Sequence, residues 1–568
     1  MNTTLIGRLV MACPALLLLS ACATIDNTLG LVGLDGLFGS EAEPPALSAE
    51  IRPADLHQHV QILASDAFAG RAPGTVGEEL TTQYLVEAFE QAGLEPGPQG
   101  SYLQSVPLVG LQSDADMGLQ VQGKPLPLRM NRDAVVVSQR VAPRTVLRRL
   151  PLVFVGYGVQ APEHGWDDYA GVDLRGKIAV MLVNDPQVEA SDGRLDPGYF
   201  KGRSMTYYGR WTYKFEQASR MGAAGALVIH NTAMAGYPWE VVAGSWGTEN
   251  FTLDRDDGNA QRVAAEGWLH EDFARELFAR SGYDYELLKR QAARPGFTGF
   301  ELPASASLMV RNKIRRVRSH NVVATVPGTD PALRNEWVTY TAHWDHLGVN
   351  PDLPGDQIYN GAEDNATGIA GLLEIAAAFA QQPARRSTMF LAVTAEEQGL
   401  LGARWYAENP LVPLAQTVAN INMDRLNVLA PTKDIVVIGR GQSTLEQVLE
   451  TAAATQGRVL VSESTPEKGY YFRSDHFEFA KRGVPALYAD SGKTPRLGNP
   501  ELLHDYNADY VRDRYHKVDD EYDPTWPMTG AAQDMQLLYL VGQAVANTTR
   551  PPQWLPSSEF ATLRPPAP

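Results

Sequence analysis

Two polar clusters follow apolar runs that have the composition of β-strands. The run WVTYTA is followed by His343, Asp345 and His346, and the run FLAVTA is followed by Glu396 and Glu397. Imidazole and carboxylate groups can bind a metal ion or transfer a proton. A lone histidine near the end of a strand is more often structural, so one such cluster by itself would indicate little.

Further carboxylates occur at corresponding positions. The run VANINM ends at Asp424, and the turn-rich loop NGAEDNATG at 360–368 contains Asp364. Ligands of open α/β sheets bind at the carboxyl ends of the strands, so we expect these groups to gather there. Like charges in one crevice repel one another unless a cation compensates them. Imidazole and carboxylate without thiolate suit zinc, and manganese and cobalt use similar ligands.

From about Asn321 the sequence alternates between two patterns. Short β-rich segments such as VVATVPG, DIVVIGRG and VPALYADSG predict strands, and NATGIAGLLEIAAAFAQQ and STLEQVLETAAATQ predict helices between them. This alternation predicts an α/β fold with a doubly wound, mainly parallel sheet. Between about 145 and 310 the chain has short β-rich runs and one predicted helix, WTYKFEQASRMGA.

The N-terminus has the features of an exported lipoprotein. Arg8 precedes an apolar segment from Leu9 to Leu19, which is too short to span a bilayer comfortably. It ends in LSAC, which resembles a bacterial lipobox in which Cys22 becomes the lipid-modified first residue. We therefore expect a membrane-anchored protein that faces the periplasm or lies at the cell surface. The alternative is an ordinary signal peptide with an incidental cysteine.

Composition excludes two classes of function. The formal net charge is −17, which argues against nucleic acid as a partner. The only cysteines are Cys13 and Cys22. A lipidated mature chain would therefore have no free thiol, which excludes a thiolate nucleophile, a disulfide and a cysteine-ligated zinc site.

The motifs, taken together, resemble one family. AHWDHLG, GAEDNATG, TAEEQGLLGARWYAENP, NINMD, FRSDHFEFAKRGVPA and YHKVDDEYD look like metallopeptidase family 28, the co-catalytic zinc aminopeptidases and glutamate carboxypeptidase relatives. The motifs occur in the family's order over roughly 320–545, and the stretch from 55 to 105 resembles the family's opening. The β-rich insert resembles a protease-associated domain, a module that is usually non-catalytic and shapes substrate access.

The resemblance implies a role for each matched position. His343 and Asp424 would bind one of two Zn²⁺ ions, Glu397 and His516 would bind the other, and Asp364 would bridge both. Glu396 would be the general base toward a zinc-activated water, and Asp345 would orient His343. Two Zn²⁺ carry four positive charges, and three carboxylates with a hydroxide would balance them. The catalytic set implied in this way is Glu396, Asp345 and Tyr515, and the metal ligands are His343, Asp364, Glu397, Asp424 and His516.

Several positions near these motifs have other interpretations. Tyr515 could donate to the tetrahedral oxyanion, because a tyrosine precedes the ligand in some relatives. His346, Asp475 and His476 are interpreted as structural. Close relatives have a cis peptide after the bridging aspartate, so we expect one between Asp364 and Asn365. Arg425 and Arg473 could bind a substrate carboxylate.

The resemblance predicts an exopeptidase acting on peptides, and an aminopeptidase in particular. A carboxypeptidase or dipeptidase of the same family and a non-catalytic binding protein on this scaffold are the alternatives. The predicted segments are a lipoprotein signal peptide at 1–22, a tether at 23–50, the two parts of the peptidase domain at 51–145 and 311–548, the inserted protease-associated domain at 146–310, and a Pro-rich tail at 549–568.

Replacing Cys22 tests the predicted anchor. Cys22→Ser removes the thiol that would carry the lipid, so the variant should incorporate no labelled fatty acid and should leave the membrane fraction. Wild-type protein labelled in parallel is the positive control. Label retained by the Cys22→Ser protein would contradict the prediction.

Overall fold

One sheet of 16 strands passes through most of the chain in the computed structural model, which describes residues 50–246 and 248–564. The predicted signal peptide, Cys22 and all but the last residue of the predicted tether lie outside the described residues. Strands β1 to β12 are Glu95–Pro96, Leu103–Val121, Lys124–Leu126, Ala134–Val137, Arg144–Phe154, Gln160–Ala161, Trp166–Asp167, Ile178–Leu182, Gly225–His230, Glu249–Leu253, Ala265–His270 and Phe300–Val326.

Strands β13 to β20 follow in the C-terminal half, and helices alternate with them. These strands are Trp337–His343, Gly348–Val349, Ile358–Tyr359, Ser387–Val393, Thr417–Asn422, Asp434–Val437, Val459–Ser462 and Ala486–Asp490. The α-helices of the described residues are Pro53–Leu63, Val76–Gln91, Trp211–Arg220, Thr232–Ala235, Trp239–Ser245, Glu271–Arg280, Tyr285–Ala292, Thr367–Gln381, Leu401–Glu408, Leu445–Thr455, His476–Ala480, Leu502–Asp509 and Thr529–Asn547.

The strand order confirms the predicted fold class. It is β19-β18-β20-β17-β13-β16-β12-β5-β8-β9-β11-β4, and most neighbours along this path are parallel. Strand β13 lies between β16 and β17 and is parallel to both, with His343 beside Val393 and Thr341 beside Asn422. The carboxyl ends of these three strands therefore meet at one edge of the sheet.

The helices Thr367–Gln381 and Thr529–Asn547 pack on strand β13. Tyr340 of β13 is fully buried and donates a hydrogen bond to the carbonyl of Leu538, 2.8 Å away. A Cβ at Gly542 would collide with the Tyr340 hydroxyl, so this close approach requires glycine. This packing fixes the position of β13 relative to the two helices, and therefore the position of His343 at its end.

The 27-residue strand β12 joins the insert to the rest of the sheet. Its first part pairs with β5 and its last part, from Val322 to Val326, pairs with β16. Lys481 also forms an ion pair with Glu216 of the insert at 2.9 Å. The amide of Phe251 in β10 donates to Gln398, which follows Glu397 directly. The insert thus contacts the residue that follows Glu397, and its boundaries stay a prediction.

Two local predictions had different outcomes. The predicted apolar face of the first helix is confirmed, because Leu56, Val60 and Leu63 are buried. The prediction of one helix in the insert is wrong: Glu271–Arg280 and Tyr285–Ala292 are also helical, and His270 and Asp284 cap their first turns through their side chains. No helix among the described residues is both long and apolar enough to cross a membrane.

Candidate metal centre

His343 lies among three carboxylates at the end of strand β13. Its Nε2 atom is 3.3 Å from Asp364 Oδ1, 3.3 Å from Asp424 Oδ1 and 4.0 Å from Glu396 Oε2. The side chain of His343 is only 1% exposed. The donor atoms of His343, Asp364 and Asp424 all lie within 4.8 Å of one another, which is close enough for one metal ion to contact all three.

A second group of donors shares Asp364. Its other oxygen, Oδ2, lies 3.2 Å from His516 Nε2, and that nitrogen is 3.1 Å from Glu397 Oε2. The single carboxylate of Asp364 therefore faces a histidine on each side. The peptide bond that follows it, Asp364–Asn365, is cis, which confirms the expectation from the sequence.

The backbone of Asp345, rather than its carboxylate, is the closest partner of His343. His343 Nδ1 lies 3.1 Å from the Asp345 carbonyl but 3.8 Å from its carboxylate. The carboxylate instead accepts hydrogen bonds from the amides of Glu396 and Glu397, at 3.0 and 3.4 Å. Asp345 thus fixes the histidine ring and the turn that carries both glutamates.

The adjacent glutamates have opposite electrostatic environments. Burial raises the pKa of Glu396 well above its usual value, and the negative charges of Asp424 and Glu397 add to this effect. Burial also acts on Glu397, but the positive charges of His516 and His346 outweigh it and lower its pKa to about 2. Adjacent carboxyl groups whose pKa values are shifted apart differ in how readily they lose a proton, which allows them to take different chemical roles.

The histidine pKa values indicate that the cluster stabilises positive charge. Burial alone would lower the pKa of His343, but Glu396 and Asp424 raise it well above its usual value. Burial likewise opposes protonation of His516, whose pKa is nevertheless raised to about 11 by Glu397 and Asp364. A metal cation would meet the same demand for positive charge, and the imidazole and carboxylate donors fit zinc.

Three buried groups to which the sequence analysis gave no catalytic or metal-binding role support this cluster. His346, which we interpreted as local structure, contacts Glu397 Oε1 through Nδ1 at 2.7 Å and could also reach a metal with Asp364 and Glu397. Arg71 donates to the carbonyls of Trp344, Leu63, Asn360 and Gly361. Asp520 accepts from the amides of Glu363 and Asp364. No local pattern predicts such contacts, because the partners are far apart in the sequence.

The other residues singled out from the sequence differ in their contacts. Tyr515 stacks on the ring of His516 with 3.9 Å between centroids, and it is 46% exposed. Arg425 donates to Glu363 and Asn507, and Arg473 donates to the carbonyl of Lys468. Asp475 is buried, and the neighbouring Ser474 donates to Asp424 at 2.7 Å.

Comparison with known proteins identifies the family of this region. Residues 321–540 match the model of peptidase family M28. This segment is an M28 peptidase domain. The match contains every residue of both donor groups.

Individual relatives match over shorter stretches. A protein described as a probable zinc metalloprotease from Pyrenophora teres f. teres is 38% identical over 104 residues, which are 18% of this chain and 22% of the relative. A probable leucine aminopeptidase 2 from Aspergillus oryzae is 34% identical over 105 residues, 18% of this chain and 19% of the relative. This chain thus spans about a fifth of the length of these curated relatives.

Solved structures match over most of the chain at lower identity. An aminopeptidase from Aneurinibacillus sp. strain AM-1 is 19% identical with a TM-score of 0.46, and the match covers 88% of this chain and 95% of that one. The zinc aminopeptidase BSAP from Bacillus subtilis is 17% identical with a TM-score of 0.41, covering 92% and 98%.

The pH dependence of the unfolding free energy tests whether His476, a buried residue of the M28 domain, is neutral in the folded protein. The ring is fully buried between Tyr471 and Tyr488, and burial lowers its pKa to about 3 from 6.5. Between these values the unfolded chain binds a proton that the folded protein does not, so stability should fall as the pH drops from about 6.5 toward 3. The difference in unfolding free energy between wild type and His476→Phe should shift by several kcal/mol over this range.

Urea unfolding at pH 7, 5.5 and 4 measures this difference. His504→Phe, at a histidine on the exposed helix Leu502–Asp509, is the control and should follow the wild-type pH dependence. A His476→Phe protein whose stability has the same pH dependence as the wild type would contradict the buried neutral state of His476.

Proposed function

We propose that this protein is a zinc-dependent exopeptidase, and in particular an aminopeptidase that removes N-terminal residues from peptides. The observation that carries the proposal is the shared position of Asp364, whose two carboxylate oxygens face His343 and His516 separately. With Asp424 on one side and Glu397 on the other, the chain offers donors for two Zn²⁺ ions. Bound zinc would polarise the scissile carbonyl and lower the pKa of the attacking water.

The protein's own groups have separate tasks in this reaction. Glu396 has a raised pKa and stands 4.0 Å from His343 Nε2, so it is suited to accept the proton of the attacking water and return it to the leaving amine. Asp345 holds the backbone of Glu396, which keeps its carboxylate in place. Tyr515, whose ring stacks on His516, is a candidate donor to the oxyanion.

The charges around the cluster favour an aminopeptidase over a carboxypeptidase. With two Zn²⁺ compensating Asp364, Glu397 and Asp424, Glu396 is the remaining carboxylate of the cluster and can attract the α-ammonium group of a peptide, whereas a carboxypeptidase needs a free cation for the substrate carboxylate. Arg425 is engaged by Glu363 and Asn507, and Arg473 binds the carbonyl of Lys468 and lies over the Tyr470 ring. Neither arginine singled out from the sequence is therefore free of protein contacts.

The proposal also gives the protein a location outside the cytoplasm and gives the insert a role in substrate access. An exported lipoprotein anchored through Cys22 would meet peptides outside the cytoplasm. The β-rich insert, as a protease-associated domain, would limit the length or shape of the peptides that reach the cluster. Its contact between Phe251 and Gln398 supports this task.

A substrate panel tests the class of peptidase. Aminoacyl amides with a free amino group should be hydrolysed, and N-acetylated dipeptides with a free carboxyl group should not. The same protein treated with a chelator should lose this activity and regain it with Zn²⁺. Hydrolysis of only the N-acetylated peptides would contradict the aminopeptidase and indicate a carboxypeptidase. If the zinc-loaded protein hydrolyses neither substrate, the result would indicate a non-catalytic binding protein.

Two matched glutamine variants test the division between Glu396 and Glu397. Glu396→Gln removes the proton acceptor and keeps the donors of both metal groups, so zinc content should be unchanged while kcat falls by at least about 10²–10⁴-fold. Glu397→Gln replaces an anionic ligand with a neutral one, so zinc affinity should fall and added zinc should restore part of the activity.

Elemental analysis and turnover at several zinc concentrations distinguish the two variants. Glu450→Gln, on the exposed side of the helix Leu445–Thr455, is the control and should resemble wild type. The two roles are reversed if Glu396→Gln is zinc-depleted and rescued by zinc while Glu397→Gln keeps full zinc content.

A further inference from the structure

The residue before the shared aspartate, Glu363, is held by neighbouring side chains of the protein. Its side chain is fully buried, and its two oxygens are bound by protein donors. Oε1 accepts from Tyr506 Oη at 2.6 Å and from Arg514 Nη1 at 2.8 Å, and Oε2 accepts from Arg425 Nε at 3.1 Å. Glu363 is therefore a structural acceptor rather than a metal ligand.

Two of these donors lie on the segment that leads to His516. We call residues 502–516 the arm; it consists of the helix Leu502–Asp509, the turn Tyr510–Arg514 and the residues Tyr515 and His516. We call the four residues Glu363, Arg425, Tyr506 and Arg514 the Glu363 clamp. The clamp thus ties the arm to the loop that carries Asp364.

The arm has few other attachments. Leu503 is the only buried residue of its helix, and Tyr510 is the only buried residue of the turn that follows. Leu502 and Val511 are exposed. Since apolar burial is small, the hydrogen bonds of the clamp should account for much of the arm's attachment.

Aromatic rings support the clamp from within the arm. Tyr510 lies 3.8 Å from the guanidinium of Arg425 and 5.2 Å from that of Arg514, and Arg514 is 4.4 Å from the ring of Tyr506. Two guanidinium groups on one carboxylate leave one excess positive charge, which these π-systems can stabilise.

His516 depends on the arm for its position. Its side chain is 37% exposed, and no described residue forms a hydrogen bond with its Nδ1 atom, whereas Nδ1 of His343 contacts the Asp345 carbonyl. Two residues upstream, Arg514 is fixed by Glu363; four residues downstream, Asp520 accepts from the amides of Glu363 and Asp364. His516 is thus held between two ties to the same loop.

We infer that Glu363 is a positioning residue whose clamp holds the arm so that His516 Nε2 faces Asp364 and Glu397. The inference deepens the proposed function, because it rests on His516 as a donor of the second metal group. It also gives a reason for an acidic residue beside the shared aspartate: its charge holds two arginines and a tyrosine rather than a metal.

Two variants weaken the clamp without burying an unpaired carboxylate. Tyr506→Phe removes one hydrogen bond to Glu363, and Arg514→Gln removes one charge while Arg425 remains. Arg512→Gln is the matched control, because Arg512 lies on the same turn but is exposed, and among the described residues its side chain pairs only with Asp509 and Asp513.

Hydrogen–deuterium exchange of the chelator-treated full-length protein gives the first readout. Both clamp variants should exchange at least about tenfold faster than wild type in residues 502–516, with strands β13 and β16 unchanged and the control resembling wild type. Unchanged exchange in the arm, or exchange that rises equally in β13 and β16, would overturn the inference.

Zinc titration gives the second readout. One of two zinc equivalents should weaken by about 10–100-fold in the clamp variants, while the other keeps its wild-type affinity. Equal weakening of both equivalents, or of neither, would overturn the positioning role. If wild-type protein binds no zinc, the proposed function fails, and the exchange of the arm still decides whether the clamp exists.

Discussion

The rest of the site depends on one electrostatic constraint: several buried carboxylates meet around Asp364 and require positive charge. Asp364, Asp424, Glu396 and Glu397 surround His343 and His516, and both histidines have strongly raised pKa values as a result. Such a gathering is costly in a low-dielectric interior unless cations compensate it. This constraint explains both the metal-binding proposal and the separation of Glu396 from Glu397.

The fold meets this constraint with a parallel sheet. Strands β13, β16 and β17 are adjacent and parallel, so the segments that follow them reach the same edge. The helices packed on β13 and the network of Arg71 around the neighbouring loop keep these ends in register. His516 lies on the arm rather than at the end of a strand, so separate contacts must hold it in position.

Much of this arrangement could be predicted from the sequence, and the contacts that could not be predicted share a physical reason. Strand-end carboxylates and the alternation of strands and helices predicted the sheet and the neighbourhood of His343, and the family motifs indicated His516. The contacts of His346, Arg71 and Glu363 join positions far apart in the chain, so no periodicity marks them. In the Pro-rich tail Trp554 and Phe560 are buried, and no sequence pattern predicted this because isolated aromatic anchors leave no repeat.

Zinc stoichiometry in variants of the shared aspartate tests the central claim most directly. Wild-type protein should bind two equivalents, His343→Ala and His516→Ala should each weaken one of them, and Asp364→Asn should weaken both because the two groups share its carboxylate. Circular dichroism of each variant would verify that the fold is retained. An Asp364→Asn protein that binds one equivalent with wild-type affinity would contradict the claim that Asp364 serves both groups.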